Sequence, residues 1–401
     1  MAYDFDEIIE RKGTGCVKWD KTPKGLIPLW VADMDFKTPD FIIEAIRKRL
    51  ECPVLGYPFI PKDYFPTIAR WVKKIHGWDV SPEWMCYVPG IVKGIGLVEC
   101  GLFPKGTKVM VQPPIYHPFR IVSEKNGMEV LYNPLKPVYD GDAIVTYEMD
   151  FEGLEKCIDK GARMLLLSNP QNPSGICWSR ETLERLAEIT SHRGVLVISD
   201  EIHGEMAHRG FRHIPYASVS EAAANNSITF MAPSKTFNIA GVVSSYAIIP
   251  DDELRKEFFA FMDATELDYP SIFSIEATMA AYRKGASWRR QMLRYVEGNI
   301  SYVEGYLAHF IPRIKAMHPQ ASFLIWLDCR ALGMTQKQLM FFLKRKAGLY
   351  LNDGTMFGPE GESFVRLNVG CPRSVLRKAL DQLAAAVNSL LLISTKPSAT
   401  P

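Results

Sequence analysis

The chain has 401 residues, 47% hydrophobic and 23% charged, with a formal net charge of +2. That length exceeds what one small core organises, so two domains are expected, and the near-neutral balance gives no electrostatic case for nucleic acid as a partner. No apolar run reaches bilayer length, no apolar signal core follows Met1, and the eight cysteines are scattered without a C-x-x-C pair, which points to a cytoplasmic protein with free thiols.

Residues 1–36 read as an irregular arm ending in the apolar Trp30-Val31-Ala32 and two acids, Asp33 and Asp35. A helix is expected from about Pro39 to Leu50, on the spacing of Phe41, Ile42, Ala45 and Ile46. Leu55-Gly56-Tyr57-Pro58 is a turn presenting an aromatic ring, and residues 62–76 are again helical. Tyr87-Val88-Pro89-Gly90-Ile91-Val92-Lys93-Gly94 is a glycine-rich entry into a helix that runs to Leu102. Such an entry offers free N–H groups to a phosphate, although no P-loop Gly-Lys-Ser/Thr follows.

The chain then alternates. Strands are expected at 108–111, 129–132, 163–168, 195–199, 228–231 and 242–249, with helices at 151–158 and 180–192 among them. Near-continuous apolar strands separated by helices predict a mostly parallel sheet covered on both faces, whose ligands sit beyond the carboxyl ends of the strands. Tyr116, Asn172, Asp200, His203 and Lys235 all fall just after predicted strand ends. After a helix at 270–283, beyond about 285 the pattern changes to α+β: helices at 288–310 and 374–387, and strands at 322–328 and 364–369. The Pro/Ser/Thr-rich end, 394–401, reads as frayed.

Lys235 lies between Ser234 and Thr236, directly after an apolar strand. A buried lysine is costly unless paired or partly neutral, and a neutral amine is what bonds to a carbonyl. Taken singly, each of these residues has a plainer reading: a surface lysine, an aspartate helix cap, an asparagine turn, a structural histidine. His203 and His208 do not form H-E-x-x-H, so no metal site is expected.

The order Asn169-Pro170-x-Asn172-Pro173-x-Gly175, Ser199-Asp200-Glu201-Ile202-His203, Ser234-Lys235 resembles the class I/II aminotransferase group of fold-type I pyridoxal 5′-phosphate (PLP) enzymes. Within that group, Trp30-Val31-Ala32-Asp33-Met34-Asp35-Phe36, Asp200-Glu201-Ile202-His203, Ala232 to Gly241 and Val365-Arg366-Leu367-Asn368 resemble the MalY/PatB branch, the cystathionine β-lyases or C–S lyases. The likeness spans residues 3–385. It implies an α/β fold: a large domain with a mostly parallel, seven-stranded type of sheet between helices, plus a smaller α+β domain. The expected division is an arm and part of the small domain in 1–48, the large PLP-binding domain in 49–284 and the small domain in 285–401.

The resemblance also assigns roles. Lys235 would hold the cofactor covalently and later move the Cα proton. Asp200 would pair with the pyridine nitrogen. Asn172 would bond the ring's 3′-oxygen, with His203 at or just behind it, and Tyr116 would stack on the ring. Val92, Lys93 and Ser234 would contact the phosphate. Tyr57 would reach the phosphate of a neighbouring subunit, implying a homodimer with shared active sites. Arg366, with Asn172, would hold the carboxylate of an amino-acid substrate. Two positions depart from common patterns: Val243 stands where many aminotransferases carry a phosphate-binding arginine, and Gln171 where a histidine is expected in many lyases. The implied reaction is β-elimination from L-cystathionine or another cysteine S-conjugate. A PLP-dependent aminotransferase and a regulatory binding protein are the alternatives.

Overall fold

The computed structural model describes residues 2–394; of the expected frayed end, 395–401 lie outside the described residues. A seven-stranded sheet runs in the order Met85–Val88, Ser245–Ile248, Ser227–Met231, Leu196–Asp200, Ala162–Ser168, Lys108–Val111, Glu129–Tyr132. Only Ser245–Ile248 is antiparallel to its neighbours. The expected mostly parallel sheet is therefore present.

The two faces of this sheet feed separate cores. Leu165 and Leu167 pack with Leu183, Leu186 and Val197, whereas Met164 and Leu166 pack with Ile91, Ile95 and Phe119. Alternate residues of one strand thus enter opposite cores, which is why the strand reads as a continuous apolar run. The helix Arg180–His192 is started by Ser179, whose hydroxyl accepts from the Thr182 N–H at 3.1 Å. The helix Ile91–Leu102 lies close on the sheet because Gly94 has no side chain; a Cβ there would come within 2.8 Å of the Phe230 ring.

A four-stranded antiparallel sheet orders Lys315–Met317, Leu324–Asp328, Phe364–Asn368, Asn352–Asp353. The long helix Ala286–Phe310 is buried along Trp288, Met292, Val296, Ile300, Val303 and Leu307, a helical spacing. The arm is mostly irregular, and its short strand Ile27–Pro28 pairs in parallel with Leu349–Tyr350.

The structure extends the sequence reading at several places. The helices Pro118–Lys125, Asp252–Ala264 and Gln336–Arg345 and the hairpin Lys136–Asp140/Ala143–Glu148 were not expected. The strand expected from 242 begins only at Ser245. Before it, Ala240–Val242 forms a 3-10 turn and Val243 takes a left-handed φ of 59°. The carbonyls of Val242 and Val243 accept from the Ser274 hydroxyl, and that of Val243 also from Tyr87 Oη, so outside side chains hold this turn out of the sheet. Among the described residues no helix is long and apolar enough to cross a membrane.

Candidate active site

Beyond the carboxyl ends of the parallel strands lies a cavity of about 290 Å³. Tyr116, Asn172, Asp200, His203, Ser234, Lys235, Val92 and Lys93 all line it. Arg366 is not among its lining residues but reaches it through Asn172, whose Oδ1 accepts from Arg366 Nη1 at 2.9 Å. Tyr57 is elsewhere: its side chain is fully exposed, outside the cavity of its own chain.

Each side chain is delivered by a short element. Asp200 ends the strand Leu196–Asp200, and Lys235 follows the strand Ser227–Met231 within the loop that closes through Asn238. Asn238 has a left-handed φ of 55°. Its side chain binds the arm from both ends: Nδ2 donates to the carbonyls of Met34 and Phe36, and Oδ1 accepts from the Met34 N–H. Asparagine tolerates this backbone region better than most residues.

The electrostatics follow from burial. Desolvation pushes Asp200 up to about 7; its one hydrogen-bond donor is the Ile202 N–H at 3.0 Å. Desolvation also brings Lys235 down to about 8, with Arg366 lowering it further and Asp33 and Asp200 opposing. Lys235 Nζ donates to the Ala32 carbonyl at 2.5 Å. His203 is held down to about 3 by burial and by the nearby Lys235 and Arg366, so it is a neutral imidazole. Arg366, buried in a sheet strand, is lowered to about 10. Its Nη2 donates to Asn352 Oδ1 at 2.8 Å and to the Trp30 carbonyl at 3.2 Å, and its guanidinium lies 4.9 Å from the Phe357 ring centroid.

Several polar groups here have no protein partner. His203 Nδ1, the Ser244 hydroxyl and Arg366 Nε are buried and unpartnered. At the cavity's other end, the helix Ile91–Leu102 opens after Gly90, whose φ of 111° suits glycine. The first N–H groups of a helix have no intrahelical acceptor, and they carry the positive end of its dipole. Unpartnered donors, a carboxyl held near neutrality and a lysine gathered at one cavity form a donor set that fits PLP.

Of the two departures, Val243 lines the cavity with no charge to offer. Gln171 is buried and structural: Nε2 donates to the Pro114 carbonyl at 2.5 Å, and Oε1 accepts from the Ser174 N–H at 2.9 Å and from the Ser174 hydroxyl. Sequence reasoning missed Ala32, Ser244, Asn352 and Asn238. Of these, Asn238, inside the lysine motif, and Ala32, inside the Trp30–Phe36 motif, carried a sequence signal.

This fold and cavity define a class. The aminotransferase class I and II family model matches residues 24–383, and the chain belongs to that family. It is 41% identical to cystathionine beta-lyase PatB of Bacillus subtilis, over 96% of this chain and the whole of that one. It is 31% identical to protein MalY of Escherichia coli, over 97% of this chain and the whole relative. Its structure matches that of PLP-containing cystalysin from Treponema denticola with a TM-score of 0.92, at 32% identity, over 97% of this chain and all of that one. The likeness to the MalY/PatB branch thus extends along nearly the whole chain.

Proposed function

We propose that this chain is a PLP-dependent carbon–sulfur β-lyase that converts L-cystathionine or a related cysteine S-conjugate to a thiol, pyruvate and ammonia. The observation that carries this reading is the convergence of Lys235, Asp200, Asn172 and the Arg366 fork at one cavity. The named activity of the PatB relative supports it.

Bound PLP supplies an electron sink that acidifies the substrate's α C–H. Arg366 binds the α-carboxylate: two of its partners, Asn172 Oδ1 and Asn352 Oδ1, are neutral oxygens that an anionic carboxylate outcompetes. Asn172, whose Oδ1 accepts from Arg366 before substrate binds, would donate from its amide nitrogen to the ring oxygen. Asp200 would pair with the cofactor's ring nitrogen, and a proton there would draw the carboxyl below its value of about 7. Lys235, near 8, keeps a neutral fraction at physiological pH, so Nζ can accept the Cα proton and return it. Tyr116 would cover the ring, and neutral His203 would back the ring-oxygen side. The N–H groups of Val92 and Lys93, with the Ser234 and Ser244 hydroxyls, would hold the phosphate. No arginine is among the described residues lining the cavity; the lysines there are Lys93 and Lys235.

The active form is a cytoplasmic homodimer. Val54, Leu55, Tyr57 and Phe59 are all exposed on one irregular segment, a cluster suited to burial against a second copy, where Tyr57 would reach the other phosphate.

The test is to incubate PLP-loaded protein with L-cystathionine and no keto acid, measuring pyruvate and free thiol. Sustained equimolar release is expected. Turnover only after a keto acid is added would replace the lyase by an aminotransferase.

A further inference from the structure

Val243, Ser244 and Ser245 all line the main cavity, at the turn that leads into the strand Ser245–Ile248. Val243 has φ 59° and ψ 71° there. A left-handed backbone is an outlier for a β-branched residue, and it persists only where surrounding contacts enforce it. Two side chains do so. The Ser274 hydroxyl lies 2.9 Å from the Val242 carbonyl and 3.0 Å from that of Val243, and Tyr87 Oη donates to the Val243 carbonyl at 3.0 Å. Because Ser274 turns its one hydroxyl proton to these carbonyls, Ser271 Oγ, 3.1 Å away, is the donor toward Ser274 Oγ. A chain of hydroxyls from the start of the helix Ile272–Lys284 thus ends on the turn.

The turn delivers Ser244. Its hydroxyl is buried, lines the cavity and has no protein partner. The strand Met85–Val88 runs antiparallel to Ser245–Ile248, with Val88 opposite Ser245 and Tyr87 opposite Tyr246. One strand therefore leaves the sheet at the end where the other enters it. The first residues past that end are Pro89 and Gly90, which lead into the helix Ile91–Leu102, and on the other chain Ser244. Gly90, Ile91, Val92 and Lys93 line the same cavity. A helix N-terminus with open N–H groups and a buried hydroxyl without a partner meet at one place.

We propose that Ser274 and Tyr87 are positioning residues that hold Val243 in its left-handed turn, and so keep the Ser244 hydroxyl available to the phosphate of PLP. The inference rests on PLP occupying this cavity, as the proposed function requires. Val243 brings no charge to the phosphate, so at this point of the site a hydroxyl has to serve. The local sequence works against the arrangement. Val242 and Val243 are both β-branched and suit an extended strand. Extended, Ser244 would share a face with Tyr246 and Ile248, two residues apart each, and those side chains are buried in the hydrophobic core. The bonds from Ser274 and Tyr87 prevent that extension.

The experiment titrates PLP and pyridoxal, which lacks the phosphate, into full-length protein stripped of cofactor. Wild type, Ser244→Ala, Ser274→Ala and Tyr87→Phe are followed by visible absorbance, with thermal melts to check folding. The quantity read is the dissociation constant for pyridoxal divided by that for PLP. A general loosening of the site weakens both compounds alike, whereas a lost phosphate contact weakens PLP alone. Ser244→Ala should lower the ratio by about tenfold or more, as for a hydrogen bond to a charged group. Ser274→Ala should lower it by about fivefold and Tyr87→Phe by about threefold, since each keeps the Ser244 hydroxyl but frees its turn. A wild-type ratio in Ser244→Ala or in Ser274→Ala overturns the proposal. If Ser274→Ala fails to fold, Tyr87→Phe decides: a lowered ratio supports the proposal and an unchanged one overturns it. A wild type that binds neither compound would instead sink the proposed function itself.

Discussion

Asp200 and Glu201 are adjacent buried acids at the end of one strand, and their surroundings differ sharply. Glu201 is saturated: Oε1 accepts from the Ser199 hydroxyl and the Tyr216 N–H, both at 2.8 Å, and Oε2 lies 2.7 Å from His213 Nε2. Among the described residues Asp200 has only the Ile202 N–H, and it is pushed up to about 7 by burial. Successive residues of a strand point to opposite sides, so one acid enters the interior and the other the cavity. A saturated carboxylate is a fixture of the fold. An unsaturated one at the same depth is tolerable only if a ligand completes it.

The sharpest break of this comparison is Lys235→Ala. Removing the proposed covalent anchor and proton carrier together should lower pyruvate production by roughly four orders of magnitude, with the fold intact by circular dichroism. Asp200→Ala should follow, lowering turnover by about a hundredfold or more, because the electron sink loses the charge that holds its proton. Near-normal turnover would remove Asp200 from the site. Arg366→Lys should raise KM by about tenfold to a hundredfold with a smaller change in kcat, since a point charge replaces a two-pronged donor.

Stability gives two further tests. Without PLP, Asp200 carries a folded value of about 7 against an ordinary 3.8. Its raised affinity means that the folded chain keeps a proton the unfolded chain has released, so stability falls as pH rises from about 4 to about 7. Asp200→Asn in the PLP-free protein should therefore be more stable than wild type above pH of about 7, by on the order of 3 kcal/mol, with the gap closing near pH of about 4. Denaturant melts at both ends measure it. Glu201→Gln should act in the other sense, costing about 2 kcal/mol by disturbing a saturated buried hydrogen-bond network. Its turnover per folded molecule should stay within about threefold. A large loss of turnover at full stability would erase the distinction between the two acids.

Much of the site was legible in sequence because a parallel sheet collects its strand ends on one edge. Asn172, Asp200 and Lys235 each follow a continuous apolar run, and that run marks a strand buried on both faces. Helices such as Arg180–His192 were legible from a serine cap and a regular apolar stripe. The helix Asp252–Ala264 has a cap of the same kind in Asp251, but buries only Phe258 and Met262, a weak stripe. The onset of Ser245–Ile248 was misplaced because Val242 and Val243 suit a strand, while Ser274 and Tyr87, far away in sequence, hold them in a turn.

Sequence by itself determined the strand ends, the lysine and the acid among them, since periodicity and burial are local properties of composition. Tertiary structure alone decided which polar groups were left open. Asp200 differs from Glu201 because His213 and Tyr216 fold back onto one and not the other. Gln171 became structural because the Pro114 carbonyl came within reach of it. The Ala32 carbonyl entered the site because the arm is fastened by Asn238 and Asn368, residues more than 200 positions away from it. Hydrogen-bond satisfaction is a sum over everything that packs around a group, and no local pattern of residues contains that sum.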